Sequence, residues 1–136
     1  VRIAAGAQVA TTLHLLHLGT GATSHGRLVV EVAPGARARV VEQFLGGGDA
    51  GGLSNLAMEI GVGAGASLEH ARVHEQSAST VHVETLTITQ DGDSRYRQQS
   101  FILGGRVVRS GARLALAGRG AETVVEGLFL VDGMRQ

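Results

Sequence analysis

The sequence predicts an all-β chain wound into a β-helix, or solenoid, of about four to five stacked coils. Three observations carry that expectation. First, a short Gly turn recurs: Gly6-Ala7-Gln8-Val9, Gly35-Ala36-Arg37-Ala38, Gly65-Ala66-Ser67-Leu68, Gly92-Asp93-Ser94-Arg95 and Gly120-Ala121-Glu122-Thr123, with gaps of 29, 30, 27 and 28 residues. Second, the stretches flanking these turns alternate with a period of two, as half-buried strands do. Third, the 136 residues hold 21 Gly, 1 Pro and only 3% aromatics, and a narrow stacked interior suits small side chains.

Each turn lies between two strand-like stretches. Leu28–Val32, Leu56–Val62, Val81–Thr89 and Arg113–Ala117 precede the last four turns. Ala38–Phe44, Leu68–Glu75, Arg95–Leu103 and Thr123–Val131 follow them. The clearest alternation sets Leu56, Met58, Ile60 and Val62 against Ala57, Glu59 and Gly61. Thr85-Leu86-Thr87-Ile88-Thr89 alternates too, in residues that favour strands. Leu53, Leu56, Ala57 and Ile60 would also fit a short helix over Leu53–Ile60, but the alternation fits better. Gly46-Gly47-Gly48, Gly51-Gly52 and Gly104-Gly105 punctuate the links between units. A coil of this kind cannot bury its apolar face alone, so its neighbours must complete the core. Coils spaced at about 4.8 Å would give a stack on the order of 20 Å tall. The alternative fold is an antiparallel β-barrel or sandwich, in which the same turns would close hairpins. The chain reads as one domain over residues 1–136. It begins at Val1 and shows no obvious polar cap, so it is expected to be a fragment of a longer chain.

Charge and composition exclude several function classes. Twelve basic residues, all Arg, balance twelve acidic ones. Nucleic acid is therefore not an expected partner, because phosphate neutralisation calls for a basic excess. Without Lys there is no P-loop lysine and no Schiff base. Without Cys there is neither a disulfide nor a thiolate-held metal centre from this chain alone. No apolar run approaches a membrane span, so no membrane association is expected.

Six His residues raise the question of metal binding. His14 and His17 are three apart and fall on opposite faces of a strand. His70, Arg72 and His74 share a face, opposite Glu69, Ala71, Val73 and Glu75, and read as a solvated polar surface. His70 and His74 lie about 13 Å apart along an extended strand, too far for one ion. His82 and Glu84, two apart, are the candidate metal ligands if a neighbouring coil supplies a third. Glu31, Glu42 and Glu126 follow apolar residues and read either as outward strand positions or as carboxylates for glycoside hydrolysis, though aromatic platforms for sugar are scarce. Gly61-Val62-Gly63-Ala64-Gly65 follows a strand but lacks the helix and acidic residue of a dinucleotide site. Arg95, Arg97, Arg106, Arg109 and Arg113 could line a partner-facing strip. The simpler reading is an exposed face balanced by Asp91, Asp93 and Glu84. Gly92 is expected to need a backbone conformation that other residues resist.

Several segments together resemble the core of the SufB/SufD family. They are Leu13-His14-Leu15-Leu16-His17, Val29-Val30-Glu31-Val32-Ala33-Pro34-Gly35-Ala36, Val40-Val41-Glu42, Ser54-Asn55 and His82-Val83-Glu84-Thr85. Above all, Arg119-Gly120-Ala121-Glu122 leads to Gly127-Leu128-Phe129-Leu130. Their order and spacing carry the likeness, and Asn55-Leu56-Ala57-Met58-Glu59-Ile60 with Gln90-Asp91-Gly92-Asp93-Ser94 gives it a SufD-like character. The resemblance implies a right-handed parallel β-helix. It also implies a non-enzymatic cytoplasmic scaffold of iron–sulfur cluster assembly, paired with a SufB-like sister subunit and a SufC-like ABC-type ATPase. The cluster then belongs to the complex. No cofactor is expected on this fragment alone, and no catalytic residue, cluster ligand or ATPase-docking residue is carried over. The family's cluster chemistry uses a later Cys/His-Gly-Ala-Thr-like segment, and the chain stops at Asp132-Gly133-Met134-Arg135-Gln136 before reaching it. Strand-edge pairing offers a route to a partner or to a homodimer. The alternatives are a self-assembling structural β-helix and a polysaccharide-active β-helix enzyme.

Overall fold

A computed structural model describes residues 1–46 and 51–133. The strands are β1 (Arg2–Ile3), β2 (Leu13–Gly19), β3 (Ser24–Val32), β4 (Arg37–Gly46), β5 (Gly52–Val62), β6 (Ser67–Gln76), β7 (Thr80–Gln90), β8 (Arg95–Ile102), β9 (Val107–Leu116) and β10 (Glu122–Phe129). They form two five-stranded sheets, ordered β1-β3-β5-β7-β9 and β10-β8-β6-β4-β2. All eight strand pairings are parallel. The chain crosses from one sheet to the other at every corner and returns one rung further along. This is a β-solenoid of about four turns. Parallel pairing rules out the antiparallel barrel or sandwich, and the span 53–60 is strand, not helix. Of the expected Gly links, residues 47–50 lie outside the described residues.

One corner is a repeated type II turn. In Ala33-Pro34-Gly35-Ala36, the Ala36 N–H donates to the Ala33 carbonyl at 3.1 Å and Gly35 adopts φ +69°. Pro suits the second position and a left-handed residue the third. The same arrangement places Gly6 at φ +68°, Gly65 at +65° and Gly120 at +72°. In the fourth corner the left-handed residue is Asp93, at φ +57°, and Gly92 is not in that region. The expectation for Gly92 was thus one residue out of register. Asp tolerates the left-handed region better than most side chains, so the turn geometry persists without its Gly.

These corners bond to one another along the stack. Gly6 N–H donates to the Pro34 carbonyl, Gly35 to Ala64, Gly65 to Gly92 and Asp93 to Arg119, each at 2.9 Å. Beside this column the interior is aliphatic. Ile3, Val32 and Val62 form one ladder row, and Val30, Ile60 and Ile88 the next. Ala38, Leu68 and Tyr96 face them from the other sheet, and all nine side chains are buried. Burying a side chain of Val or Leu size contributes about 1.5–3 kcal/mol.

Outside, ion pairs join successive coils: Arg2–Glu31 at 2.6 Å, Arg27–Glu59 at 2.8 Å, Arg39–Glu69 at 3.2 Å, Arg95–Glu122 at 3.2 Å and Arg97–Glu126 at 3.0 Å. The five-Arg strip does not form. Arg95 and Arg97 sit on β8, while Arg109 and Arg113 sit on β9 in the opposite sheet. Glu84, expected to balance them, is buried. No helix among the described residues is long and apolar enough to cross a membrane.

Candidate functional site: a buried carboxylate–guanidinium–imidazole cluster

Away from the type II corners the same interior turns polar. Counting inward positions from each left-handed turn residue puts Val40, His70 and Gln98 in one row and Glu42, Arg72 and Ser100 in the next. Phe44, His74 and Ile102 follow, with His17 stacked below Phe44. The facing sheet brings Leu56, Glu84 and Ser110 into one row and Ser54, His82 and Val108 into another. His70, Arg72 and His74 therefore point into the solenoid, with exposures of 2%, 0% and 1%. The expected solvated face is the opposite one, that of Glu69, Ala71, Val73 and Glu75. Glu42, expected outward, is also fully buried, whereas Glu31 and Glu126 are outward.

Arg72 is the centre of the cluster. Its Nε donates to Glu42 Oε2 at 2.8 Å. Its Nη1 and Nη2 donate to Glu84 Oε1 and Oε2 at 2.5 and 2.6 Å. This fork geometry is the reason Arg and not Lys serves at buried carboxylates. His17 Nε2 lies 2.9 Å from Glu42 Oε1, and His70 Nε2 lies 2.9 Å from Glu42 Oε2. His82 Nε2 lies 2.9 Å from Glu84 Oε2. An ionised carboxylate can only accept, so these three Nε2 atoms carry protons toward it. On its far side His70 Nδ1 meets the Tyr96 hydroxyl at 3.0 Å, and that hydroxyl donates to Gln98 at 2.9 Å. Rings reinforce the stack. His17, Phe44 and His74 lie parallel with centroids 4.4 Å apart at each step, and His82 meets both Phe44 and His74 edge-on.

Burial alone would raise the pKa of both carboxyls. For Glu42 the hydrogen bonds from His17 and His70, with the charge of Arg72, outweigh it and hold the group far below the ordinary carboxylate range. Glu84 is depressed likewise, against burial, by hydrogen bonds from His82 and Arg72 and by the Arg72 charge. Burial pushes the Tyr96 hydroxyl up. It pushes His74 down to about 4, with the Glu84 charge opposing. The two carboxylates are thus ionised and share one guanidinium.

The sequence-predicted pair His82 and Glu84 does meet, by a direct hydrogen bond. The residue that joins them, from β6 in the facing sheet, is His74. One ligand atom from each of His74, His82 and Glu84 lies within 4.8 Å of the others. His70 contacts Glu42 and not Glu84, in keeping with the distance that separates it from His74 along the strand. His14 is exposed and bonds Gln43 at 3.1 Å, and His17 lies partly inward, as their spacing required. The Gly61–Gly65 run forms a corner followed by a strand, so it builds no nucleotide site.

Comparison with known proteins places this architecture. The family model for the SUF system FeS cluster assembly, SufBD core domain, matches residues 15–136. The chain belongs to the SufBD core family. It is also 27% identical, over 96% of its length, to the iron-sulfur cluster assembly protein SufD of Escherichia coli (strain K12). It spans 32% of that relative, so the SufBD core seen here is about a third of the curated protein it matches.

Proposed function

We propose that this SufBD core is the scaffold portion of a SufD-like subunit in iron–sulfur cluster assembly, with no catalysis of its own. The observation that carries the reading is the family match across nearly the whole solenoid, joined to the identity with SufD. The geometry supports a structural role. The interior charges are spent on one another, Arg72 on Glu42 and Glu84, and buried groups locked in this way hold a shape better than they turn over a substrate. In this reading the full-length cytoplasmic protein pairs with a sister β-helix subunit and an ABC-type ATPase. The cluster is cargo of that complex and not a cofactor resident in these coils.

The test is affinity purification of the natural full-length protein from its own cells, followed by gel filtration. Co-elution with a sister β-helix subunit and an ABC-type ATPase is expected. Elution as a homopolymer, or tight saccharide binding in calorimetry without those partners, would overturn the assignment.

A further inference from the structure

His74 is 1% exposed, and neither of its ring nitrogens has a hydrogen-bond partner. His82 is fully buried, with its Nδ1 likewise unpartnered. Buried polar atoms without partners are uncommon and costly. Here three of them belong to two imidazoles whose rings meet edge-on at 4.9 Å, beside one carboxylate. His74 Nε2 lies 3.9 Å from Glu84 Oε1.

We propose that His74, His82 and Glu84 form a binding site for a single borderline divalent transition metal of the Fe2+, Co2+ or Zn2+ class inside the solenoid. Two neutral imidazoles and a carboxylate are a donor set such ions accept. His82 presents Nε2 to Glu84 Oε2 at 2.9 Å, and an ion entering between them displaces the Nε2 proton, which the unpartnered Nδ1 carries instead as the ring changes tautomer. Arg72 braces Glu84 from behind, as an outer-shell partner braces a ligating carboxylate.

Bonds of about 2.0–2.2 Å place two ligands no more than about 4.2 Å apart, so the triad must tighten on loading. His74 can supply the shift because stacking on Phe44, and no hydrogen bond, holds its ring. A cavity lined by Ser100, Val108 and Ser110 reaches the next rung beyond Arg72, His82 and Glu84. The site stands on these residues alone and does not depend on the assembly role.

Cobalt(II) is the probe, added to the metal-free full-length protein and followed by its visible d–d absorption and by calorimetry. One equivalent with a low-coordinate spectrum is expected. His74→Phe keeps the ring stack and removes both nitrogens, and it should weaken binding about 100-fold, as should His82→Phe. Co2+ or Zn2+ should raise the melting temperature of the native protein and leave that of His74→Phe unmoved. Absence of saturable binding in the native protein, or equal binding in the native protein and a folded His74→Phe variant, would overturn the proposal. Should His74→Phe fail to fold, His82→Gln is read in its place against the same two outcomes.

Discussion

Between the type II corner and the opposite corner, the same two sheets enclose two different interiors. Near the corner, Val30, Ile60 and Ile88 gain their stability from area removed from water, and no single contact is indispensable. Around Arg72 the stability resides in a few directional bonds between charges that have lost their hydration. A buried ion pair contributes little over a well-packed apolar replacement, yet breaking one is severe because the surviving charge is stranded. The aliphatic half should therefore degrade gradually under mutation and the polar half abruptly.

The largest expected effect is Arg72→Ala. It leaves Glu42 and Glu84 buried without their shared cation and should cost about 3–5 kcal/mol in urea unfolding. Arg27→Ala, which breaks an exposed pair, should cost less than about 1 kcal/mol in the same assay. If the two losses match, the contrast between interior and exterior charges is wrong. Leu86→Ala, at 0% exposure in the aliphatic half, should come next, at about 2–4 kcal/mol.

Gly35→Val should cost about 1–3 kcal/mol because φ +69° strains a β-branched residue. Gly92→Ala should cost less than Gly35→Val, since Gly92 lies outside the left-handed region and an added Cβ meets only the Arg119 carbonyl, at 3.3 Å. Equal effects would put the turn register back in question.

The smallest effect is one of shape. The folded-state pKa of His74, about 4, lies below the unfolded 6.5. The unfolded chain therefore binds the extra proton first, and stability falls as pH drops from about 6.5 toward 4. In the metal-free protein, His74→Phe should flatten that part of the pH–stability curve. The loss from Glu42 and Glu84, whose pKa values are lowered by folding, begins only as pH enters the ordinary carboxylate range and continues below it. An unchanged curve between pH 6.5 and 4 would show that His74 is not buried as a neutral ring.

Much of the fold was readable because a solenoid repeats itself. The turn spacing located the corners, and alternation over Leu56–Val62 and Thr85–Thr89 located two strands. What failed was the choice of inner face on β6. His70, Arg72 and His74 read as the wet face, yet they are the buried one. The signal lay across the coils. Val40 and Phe44 occupy the fifth and ninth places after Gly35, so His70 and His74, in the same places after Gly65, had to point inward with them. Reading the fourth turn from Gly92 instead of Asp93 shifted that unit by one residue, and a one-residue slip inverts every side chain. His82 and Glu84 could be paired from their spacing. His74 could not be joined to them, because it lies on the other sheet and only the closed coil brings it across.

The column of bonded corners has a consequence for changes of length. Four-residue turns at 33–36, 63–66 and 91–94 repeat without variation, each tied to the one above. At the far corner, the link 77–79 has three residues where 20–23 and 103–106 have four. The first edge acts as a uniform bound spine, while the second is tied coil to coil through links of uneven length, Ser77 N–H to Gly46 and Gly105 N–H to Gln76. Extra loops, grafted peptides or reporter tags should therefore be tolerated at Ser77–Ser79 and unravel the stack at Pro34.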